Sequence, residues 1–432
     1  MNEVRTATRV ATNAPGQVLF ASLVGTTIEF FDFYIFATAA VLVFPTLFFP
    51  PTDPVAARLA SLAAFGIAFV ARPIGSALFG HFGDRIGRKT TLVAALLTMG
   101  LSTVAIGLLP TYGTIGVAAP ALLALCRFGQ GIGLGGEWGG AVLLAVENAP
   151  PGRRAWYGMF PQLGAPIGFL FSSGVFLLLS DWLTNDQFFA FGWRIPFLAS
   201  ALLVLIGLYV RLTIVETPVF REALARQERV SVPMAAVFLD HPRTLIMGTL
   251  ASLATFVLFY LMTVFALSWG TTKLGYSREQ FLLMQQFGII CFGLTIPVAA
   301  RLAERGRRAV LIGVTIAIGV FGLAMAPMLE SGFIGAVLGM GLGLALMGFT
   351  YGPLGTTLSE LFPTAVRYTG SSLTFNLAGI FGASLAPYIA TMLAERYGLQ
   401  AVGYYLTGVA ALTLIGLLGI RETRNEDIGR RK

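Results

Sequence analysis

Long apolar runs recur along the whole chain, and they restrict it to folds that use lipid as solvent. Of the 432 residues, 56% are hydrophobic and 12% are charged, with a mean hydropathy of +0.78. A soluble core cannot cover that much apolar surface, whereas a membrane helix needs about 20 consecutive apolar residues. The runs predict an all-α membrane protein with twelve transmembrane helices. The approximate limits are 18 to 44, 57 to 80, 90 to 110, 117 to 146, 155 to 180, 192 to 212, 242 to 269, 280 to 300, 309 to 328, 332 to 357, 367 to 393 and 400 to 420.

The positive charges are sorted by membrane side. If the N-terminus is cytoplasmic, 22 of the 29 Lys and Arg residues fall in inner segments and five in outer segments, which leaves Arg72 and Arg127 at membrane depth. Cytoplasmic loops carry an excess of Lys and Arg, so both termini are expected in the cytoplasm. The net charge of +8 therefore reflects topology, not binding to nucleic acid. Cys126 and Cys291 lie in apolar segments, where we expect small buried hydrophobes rather than disulfide or metal ligands.

A charged decapeptide, GHFGDRIGRK at positions 80 to 89, predicts a short loop between the second and third helices, and a shortened copy, ARLAERGRR, stands at 300 to 308. Its glycines permit close helix approach, its cations favour one membrane face, and Asp84 can face the positive N-terminus of the eleventh helix. We therefore expect breakable contacts that close the inner face. The candidate gating residues are Gly80, Gly83, Asp84, Arg85, Arg88, Glu147, Arg154, Glu304, Arg305, Glu360 and Arg367.

The two halves of the chain repeat each other. Glu147 and Arg154 match Glu360 and Arg367, each pair 213 positions apart. The repeats predict two six-helix halves of the same orientation, residues 1 to 215 and 242 to 432. A charged, proline-containing cytoplasmic linker at 216 to 241 joins them, with a short surface helix expected before Val230. Such repeats place a substrate site between the halves, near the middle of the bilayer.

Two carboxylates in the first segment, Glu29 and Asp32, lie more than ten residues from its cytoplasmic start. With Gly25 and Phe36 they share one narrow stripe of the helix, which must face a partner or a wet cavity, because a charge in mid-membrane costs at least about 2.5 kcal/mol. The candidate partner is Arg127 in the fourth segment, on a stripe with Gln130, and we expect an ion pair with Asp32. A carboxylate that alternates between this arginine and a proton can couple transport to protons. The proton-coupling candidates are Asp32, Arg127 and Glu29.

Several polar groups on the predicted helices are candidates for the substrate site. Arg72 is expected to be a structural partner of a carboxylate such as Glu137, with substrate binding as the alternative. Arg127 is the best placed donor for a substrate carboxylate. The substrate-binding candidates are Glu29, Arg127, Gln130, Glu137, Gln162, Tyr260 and Asn376, with Gln285 and Tyr351 as further cavity candidates.

Four stretches, at 25 to 36, 129 to 148 (GQGIGLGGEWGGAVLLAVEN), 192 to 197 (GWRIPF) and 360 to 370 (ELFPTAVRYTG), resemble the metabolite:H+ symporter family of the major facilitator superfamily. The decapeptide resembles the loop joining the second and third helices of that superfamily. The resemblance implies import of small polar metabolites with protons across bacterial inner membranes, with known substrates such as shikimate, 2-oxoglutarate, citrate, and proline or betaine. It also implies that Asp32 and Arg127 match the acid and the arginine implicated in coupling among related symporters.

The substrate is expected to be an organic acid, shikimate-like or another carboxylate. A zwitterion such as proline or betaine stays open, since it could use Arg127 and Glu29 together. A passive facilitator and a transport-derived sensor are the alternatives from other classes. An enzyme is not expected, because no nucleophile, metal-ligand cluster or phosphate loop stands out. We expect a monomer whose partners are substrate, protons and lipid, without cofactor, metal or nucleic acid.

Overall fold

The computed structural model describes residues 15–50, 53–86, 88–135, 137–213, 233–363 and 366–424, and these ranges contain helices and turns but no strand. The all-helical prediction is confirmed. Ten described segments are long and apolar enough to cross a membrane, and Val93–Leu108 is a shorter apolar helix. The longer helices are α1, Pro15–Leu42; α2, Pro54–Ile86; α3, Arg88–Leu108; α4, Ala118–Leu134; α5, Trp138–Glu147; α6, Arg154–Trp182; α7, Ile195–Thr213; α8, Pro233–Asp240; α9, Pro242–Tyr260; α10, Ala266–Thr272; α11, Arg278–Ala303; α12, Arg307–Glu330; α13, Phe333–Leu361; α14, Arg367–Ala378; α15, Ala386–Tyr397; and α16, Leu399–Gly419.

Two pairs of helices are joined through π-helical turns. Leu261–Phe265 connects α9 to α10, and Gly379–Ser384 connects α14 to α15. Several helix starts carry side-chain caps that satisfy the free backbone N–H groups. Ser277 caps the N-terminus of α11 and forms a capping box with Gln280. Glu422 accepts hydrogen bonds from the first two backbone N–H groups of α12, at 3.1 and 3.0 Å.

The predicted loop at 80 to 89 is wrong in its first part. Helix α2 continues through the polar residues to Ile86, and α3 begins at Arg88. No proline interrupts this stretch, and a glycine inside a helix costs only about 1 kcal/mol relative to alanine. The predicted fourth helix is also not continuous, because α4 ends at Leu134 and α5 begins at Trp138. Part of the predicted linker forms α8, whereas the surface helix predicted before Val230 lies outside the described residues.

The helices form two bundles, which we call the first bundle (α1–α7) and the second bundle (α9–α16). In the first, α1 packs on α6 and α2 on α4; in the second, α11 packs on α13 and α12 on α16. The bundles meet where α6 contacts α11 and α13, and where α2 contacts the Gly379–Ser384 turn. Glycines let α2 and α4 approach closely, because a Cβ at Gly131 or Gly135 would collide with the carbonyl oxygen of Ala68 or Arg72. This contact holds Arg72 at the interface between the bundles.

Candidate functional site

Asp32 is a buried carboxylate without an ion pair among the described residues. Its side chain is 0% exposed. The hydroxyls of Thr103, from α3, and Ser200, from α7, lie beside it. A buried charge without a countercharge is costly in a membrane-spanning segment.

The expected ion pair between Asp32 and Arg127 does not form. Arg127 lies instead in an aromatic cage, with its guanidinium carbon 4.2 Å from the ring centre of Phe33 and 4.1 Å from that of Phe36. Its Nη1 donates to Gln130 at 2.9 Å, and the Gln130 amide donates to Thr103 at 2.7 Å. A polar chain therefore runs from Arg127 to the hydroxyl beside Asp32. Packing in the first bundle separates the two charges, although both lie on the stripes that the sequence indicates.

A small cavity lies between the bundles, about one helical turn from Asp32. Its volume is ≈ 20 Å³, which is enough for about one water molecule. Glu29, Arg72 and Trp138 line it from the first bundle, and Ser372 and Asn376 from the second. Of the predicted substrate-binding residues, Glu29 and Asn376 are among its lining residues. Arg127, Gln130, Glu137, Gln162 and Tyr260 are not, and their substrate roles stay predictions.

Arg72 has no hydrogen bond or ion pair to any described residue, so the predicted pairing with Glu137 is wrong in this conformation. Its guanidinium carbon lies 4.5 Å from the ring centre of Phe33 and 4.6 Å from that of Phe69. The titratable groups that interact with it electrostatically include Glu29, three phenols, those of Tyr34, Tyr260 and Tyr351, and the like charge of Arg127. The spacing of residues in the sequence does not show which groups surround Arg72, because the rotation of the packed helices decides which group a side chain meets.

An aromatic stack joins the two bundles beside the cavity. The rings of Trp138 and Phe375 are nearly parallel, with their centres 3.6 Å apart and an interplanar angle of 12°. The indole N–H donates to Gln162 at 2.9 Å, and the Gln162 amide donates to the carbonyl of Tyr351 at 2.9 Å. Gln162 thus anchors the stack and connects α6 to α13. At ≈ 20 Å³ the cavity is too small for a solute as large as a metabolite, so the surrounding helices must move apart to hold one.

Charged contacts close one end of the interface, where the predicted gating residues gather. Arg154 of the first bundle lies 3.6 Å from Glu360 of the second, and Arg367 lies 3.9 Å from Glu147. Glu304 accepts a hydrogen bond from the backbone N–H of Trp156 at 2.9 Å, and this contact also joins the two bundles. The repeat therefore places each glutamate against the arginine of the other half.

Two further groups hold Glu360 within the second bundle, and the sequence did not point to either. Arg307 lies 2.7 Å from it, and the hydroxyl of Thr423 donates to it at 2.6 Å. The predicted gating residue Arg305 contributes its carbonyl, which accepts a hydrogen bond from Arg424 at 3.0 Å. The side chains of the other candidates lie outside the described residues: Gly80, Gly83, Asp84, Arg85 and Arg88.

A separate set of contacts closes the opposite end. Arg58 of the first bundle lies 3.1 Å from Glu395 and donates to the hydroxyl of Thr272 at 2.8 Å. Lys273 also pairs with Glu395, at 3.0 Å. Arg278 donates to Asn185 at 2.9 Å. These cations lie in predicted outer loops that carry no recognisable motif, so only the folded chain reveals this second closure.

Residues 22–383 match the protein family described as "Major Facilitator Superfamily". The "Inner membrane metabolite transport protein YhjE" of Escherichia coli is 58% identical, with 96% of each chain covered. The E. coli "Shikimate transporter" is 35% identical, covering 93% of this chain and 94% of that protein. The "Proline/betaine transporter" of Salmonella typhimurium is 32% identical, covering 95% of this chain and 84% of that protein.

Solved structures show the same fold. The partially occluded inward-open xylose transporter XylE from E. coli superposes with a TM-score of 0.75 at 19% identity, covering 96% of this chain and 99% of that chain. At this identity the likeness concerns the fold alone.

Proposed function

The chain belongs to the Major Facilitator Superfamily, and we propose that it imports a small organic acid together with protons by alternating access. It is a multi-pass membrane transporter and not an enzyme. The proposed location is the bacterial inner membrane, which the name of the E. coli relative supports. We propose twelve spans with both termini cytoplasmic, since α3 and the α4–α5 pair add to the ten long apolar segments. The proposed halves are residues 1 to 215 and 242 to 432, joined at 216 to 241, in a monomer.

Contacts at both ends of the interface support alternating access. With the proposed orientation, the Arg154–Glu360 and Arg367–Glu147 pairs close the inner face, and the Arg58–Glu395 pair closes the outer face. The ≈ 20 Å³ cavity between them corresponds to a conformation closed on both sides. Alternating access requires that each set break while the other holds.

The fully buried carboxylate of Asp32, which has no ion pair with a described residue, carries the proposal of proton symport. Protonation removes its charge, and the polar chain through Thr103 and Gln130 links that change to Arg127. A pH gradient of one unit supplies about 1.4 kcal/mol, and 100 mV supplies about 2.3 kcal/mol per charge.

The test uses purified protein in liposomes with an imposed inside-alkaline pH gradient. Uptake of shikimate or another hydroxylated acid, accompanied by alkalinisation of the outer medium, is expected from the wild-type protein. A passive facilitator equilibrates its solute without moving protons, and a sensor accumulates none. Either result contradicts the proposal.

A zwitterion such as proline or betaine is the second candidate substrate. Glu29 and Arg72 line the same cavity, and opposite charges in one site suit a zwitterion. Parallel uptake assays with betaine and shikimate separate the two candidates.

A further inference from the structure

The guanidinium group of Arg72 lies at the interface between the bundles, and it makes no hydrogen bond or ion pair with any described residue. The residue is 6% exposed, its Nε is buried without a hydrogen-bonding partner, and the side chain lines the cavity. Leaving a buried donor unpaired is costly, the more so for a charged one. Two aromatic rings support the cation without using its N–H groups. The arrangement leaves the planar fork of donors available for an anionic ligand.

We propose that Arg72, rather than Arg127, binds the carboxylate of the transported metabolite, and that the metabolite is a monocarboxylate carrying hydroxyl or ammonium donors. This proposal rests on the transport function proposed above and assigns its substrate site. A guanidinium binds a carboxylate through two parallel hydrogen bonds, which gives orientation as well as affinity.

Arg127 is enclosed within the first bundle. Its Nε donates to the carbonyl of Phe65 at 3.3 Å and its Nη1 donates to Gln130 at 2.9 Å. The rings of Phe33, Phe36 and Phe65 surround it. Phe33 contacts both guanidinium groups, so it stands between them as a shared wall. The Nη2 of Arg127 is also buried without a hydrogen-bonding partner, but Arg127 does not line the cavity. Arg72 therefore belongs to the cavity and Arg127 to the interior network that reaches Asp32.

Glu29 supplies the second pole of the site. It lines the cavity with Arg72 and acts on it electrostatically. When a substrate carboxylate is bound at Arg72, the carboxylate of Glu29 lies in the same cavity and can accept an additional hydrogen bond from a hydroxyl or ammonium group of the solute. A second carboxylate on the solute meets Glu29 with like charge. The pair therefore favours monocarboxylates over dicarboxylates and tricarboxylates.

The second bundle contributes Ser372, Phe375 and Asn376 to the same cavity. A bound carboxylate can reach groups of both bundles, so its binding depends on how the bundles stand relative to one another. The cavity holds about one water molecule, so a bound substrate requires the bundles to move apart, and the Trp138–Phe375 stack is a contact between them at this site.

The test measures equilibrium binding to purified full-length protein at one pH, without a gradient. Titration calorimetry measures the binding of four probes: shikimate, its uncharged methyl ester, proline and the dicarboxylate 2-oxoglutarate. Wild type is expected to prefer shikimate or proline to 2-oxoglutarate, and shikimate to its ester, by at least about tenfold, as for loss of a charged hydrogen bond. Arg72→Gln is expected to bind shikimate and its ester equally weakly, and Arg72→Lys to bind shikimate with intermediate affinity because a lysine lacks the planar fork.

The matched control is Arg127→Gln, which is expected to retain the preference of wild type for shikimate over its ester while losing proton-driven uptake. The melting temperature of each variant checks that it folds. The proposal is overturned if Arg127→Gln abolishes the preference and Arg72→Gln keeps it, or if the dicarboxylate binds best. It also fails if wild type binds none of the acids but carries a neutral solute with protons, although proton symport then stands. Conversely, carboxylate binding at Arg72 without proton movement refutes symport alone.

Discussion

Glu360 of the second bundle lies 3.6 Å from Arg154 of the first, and the repeat-related pair Glu147 and Arg367 lies 3.9 Å apart in the opposite sense. The two pairs are related by the approximate twofold relationship between the halves. In each pair, a glutamate of one half lies against an arginine of the other half. Glu360 is 0% exposed at its side chain, whereas Glu147 is 36% exposed. The buried member of the repeat should contribute more to closure, because solvent screens the other.

Replacing Arg154 with Gln removes one cross-bundle charge and leaves the Arg307–Glu360 pair in place. We expect the conformational equilibrium to move toward the inward-open state by up to about tenfold, equivalent to ~1.4 kcal/mol. Labelling rates of single cysteines on the two sides of the interface, in a background lacking Cys126 and Cys291, report the shift. Arg243→Gln is the matched control, because Arg243 is exposed and its side chain makes no hydrogen bond or ion pair with the described residues. Equal labelling in both variants contradicts the role of Arg154.

Glu395→Gln is expected to shift the same equilibrium in the opposite direction. Glu395 forms ion pairs with Arg58 of the first bundle and with Lys273 of the second. The neutral amide of the substituted glutamine weakens both contacts. Cysteines on the outer side should then label faster and those on the inner side more slowly. Glu330→Gln, at the exposed last residue of α12, should leave both rates unchanged. A shift toward the inward-open state would falsify the assignment of this cluster to the outer face.

Asp32→Asn should abolish uptake driven by a pH gradient while sparing substrate exchange between equal pools, because exchange requires no net proton movement. The same substitution should raise the melting temperature, since it removes the cost of a buried charge that no countercharge among the described residues compensates. Asp53→Asn serves as the control. Asp53 caps α2 through the backbone N–H groups of Val55 and Ala56, and asparagine caps nearly as well. Undiminished gradient-driven uptake by Asp32→Asn contradicts coupling through this residue.

Trp138 should report opening of the cavity by its fluorescence. Separation of its ring from Phe375 changes the environment of the indole, so saturating substrate should alter the emission spectrum of the wild-type protein. Trp138→Phe should remove that change, whereas Trp182→Phe should keep it, because Trp182 is 74% exposed and lies far along α6 from Gln162. The stack is not the moving element if the full change persists in Trp138→Phe.

Gly131→Ala should destabilise the protein by about 1–3 kcal/mol through overpacking, because the added methyl group collides with the backbone of Ala68. Gly313→Ala meets no atom within 4 Å and should stabilise α12 by up to about 1 kcal/mol through helix propensity. Thermal unfolding in detergent compares the melting temperatures of the two variants. Similar melting temperatures for both would show that α2 and α4 can separate without cost.

Individual residues show how much of the site could be predicted from the sequence. The stripe position of Asp32 predicted that it faces the protein interior, and its burial confirms that. The 213-residue repeat indicated which charges gather at one end of the interface, but their cross-pairing required the fold. The expected contact of Asp32 with Arg127 failed because a helical pattern gives the face of a side chain and not the neighbour it meets. Glu395 and Thr423 carried no motif, so nothing in their local sequence marked them.

The sequence by itself determined the membrane environment, the helical class and the internal repeat, because lipid requires every spanning backbone group to be satisfied within a helix and long apolar runs declare those helices. The tertiary structure decided how the buried charges are distributed. Glycine contacts between α2 and α4 bring Arg72 to the cavity, and Phe33 separates it from Arg127. Those outcomes depend on the rotation and spacing of packed helices, which are fixed by contacts between residues distant in the chain.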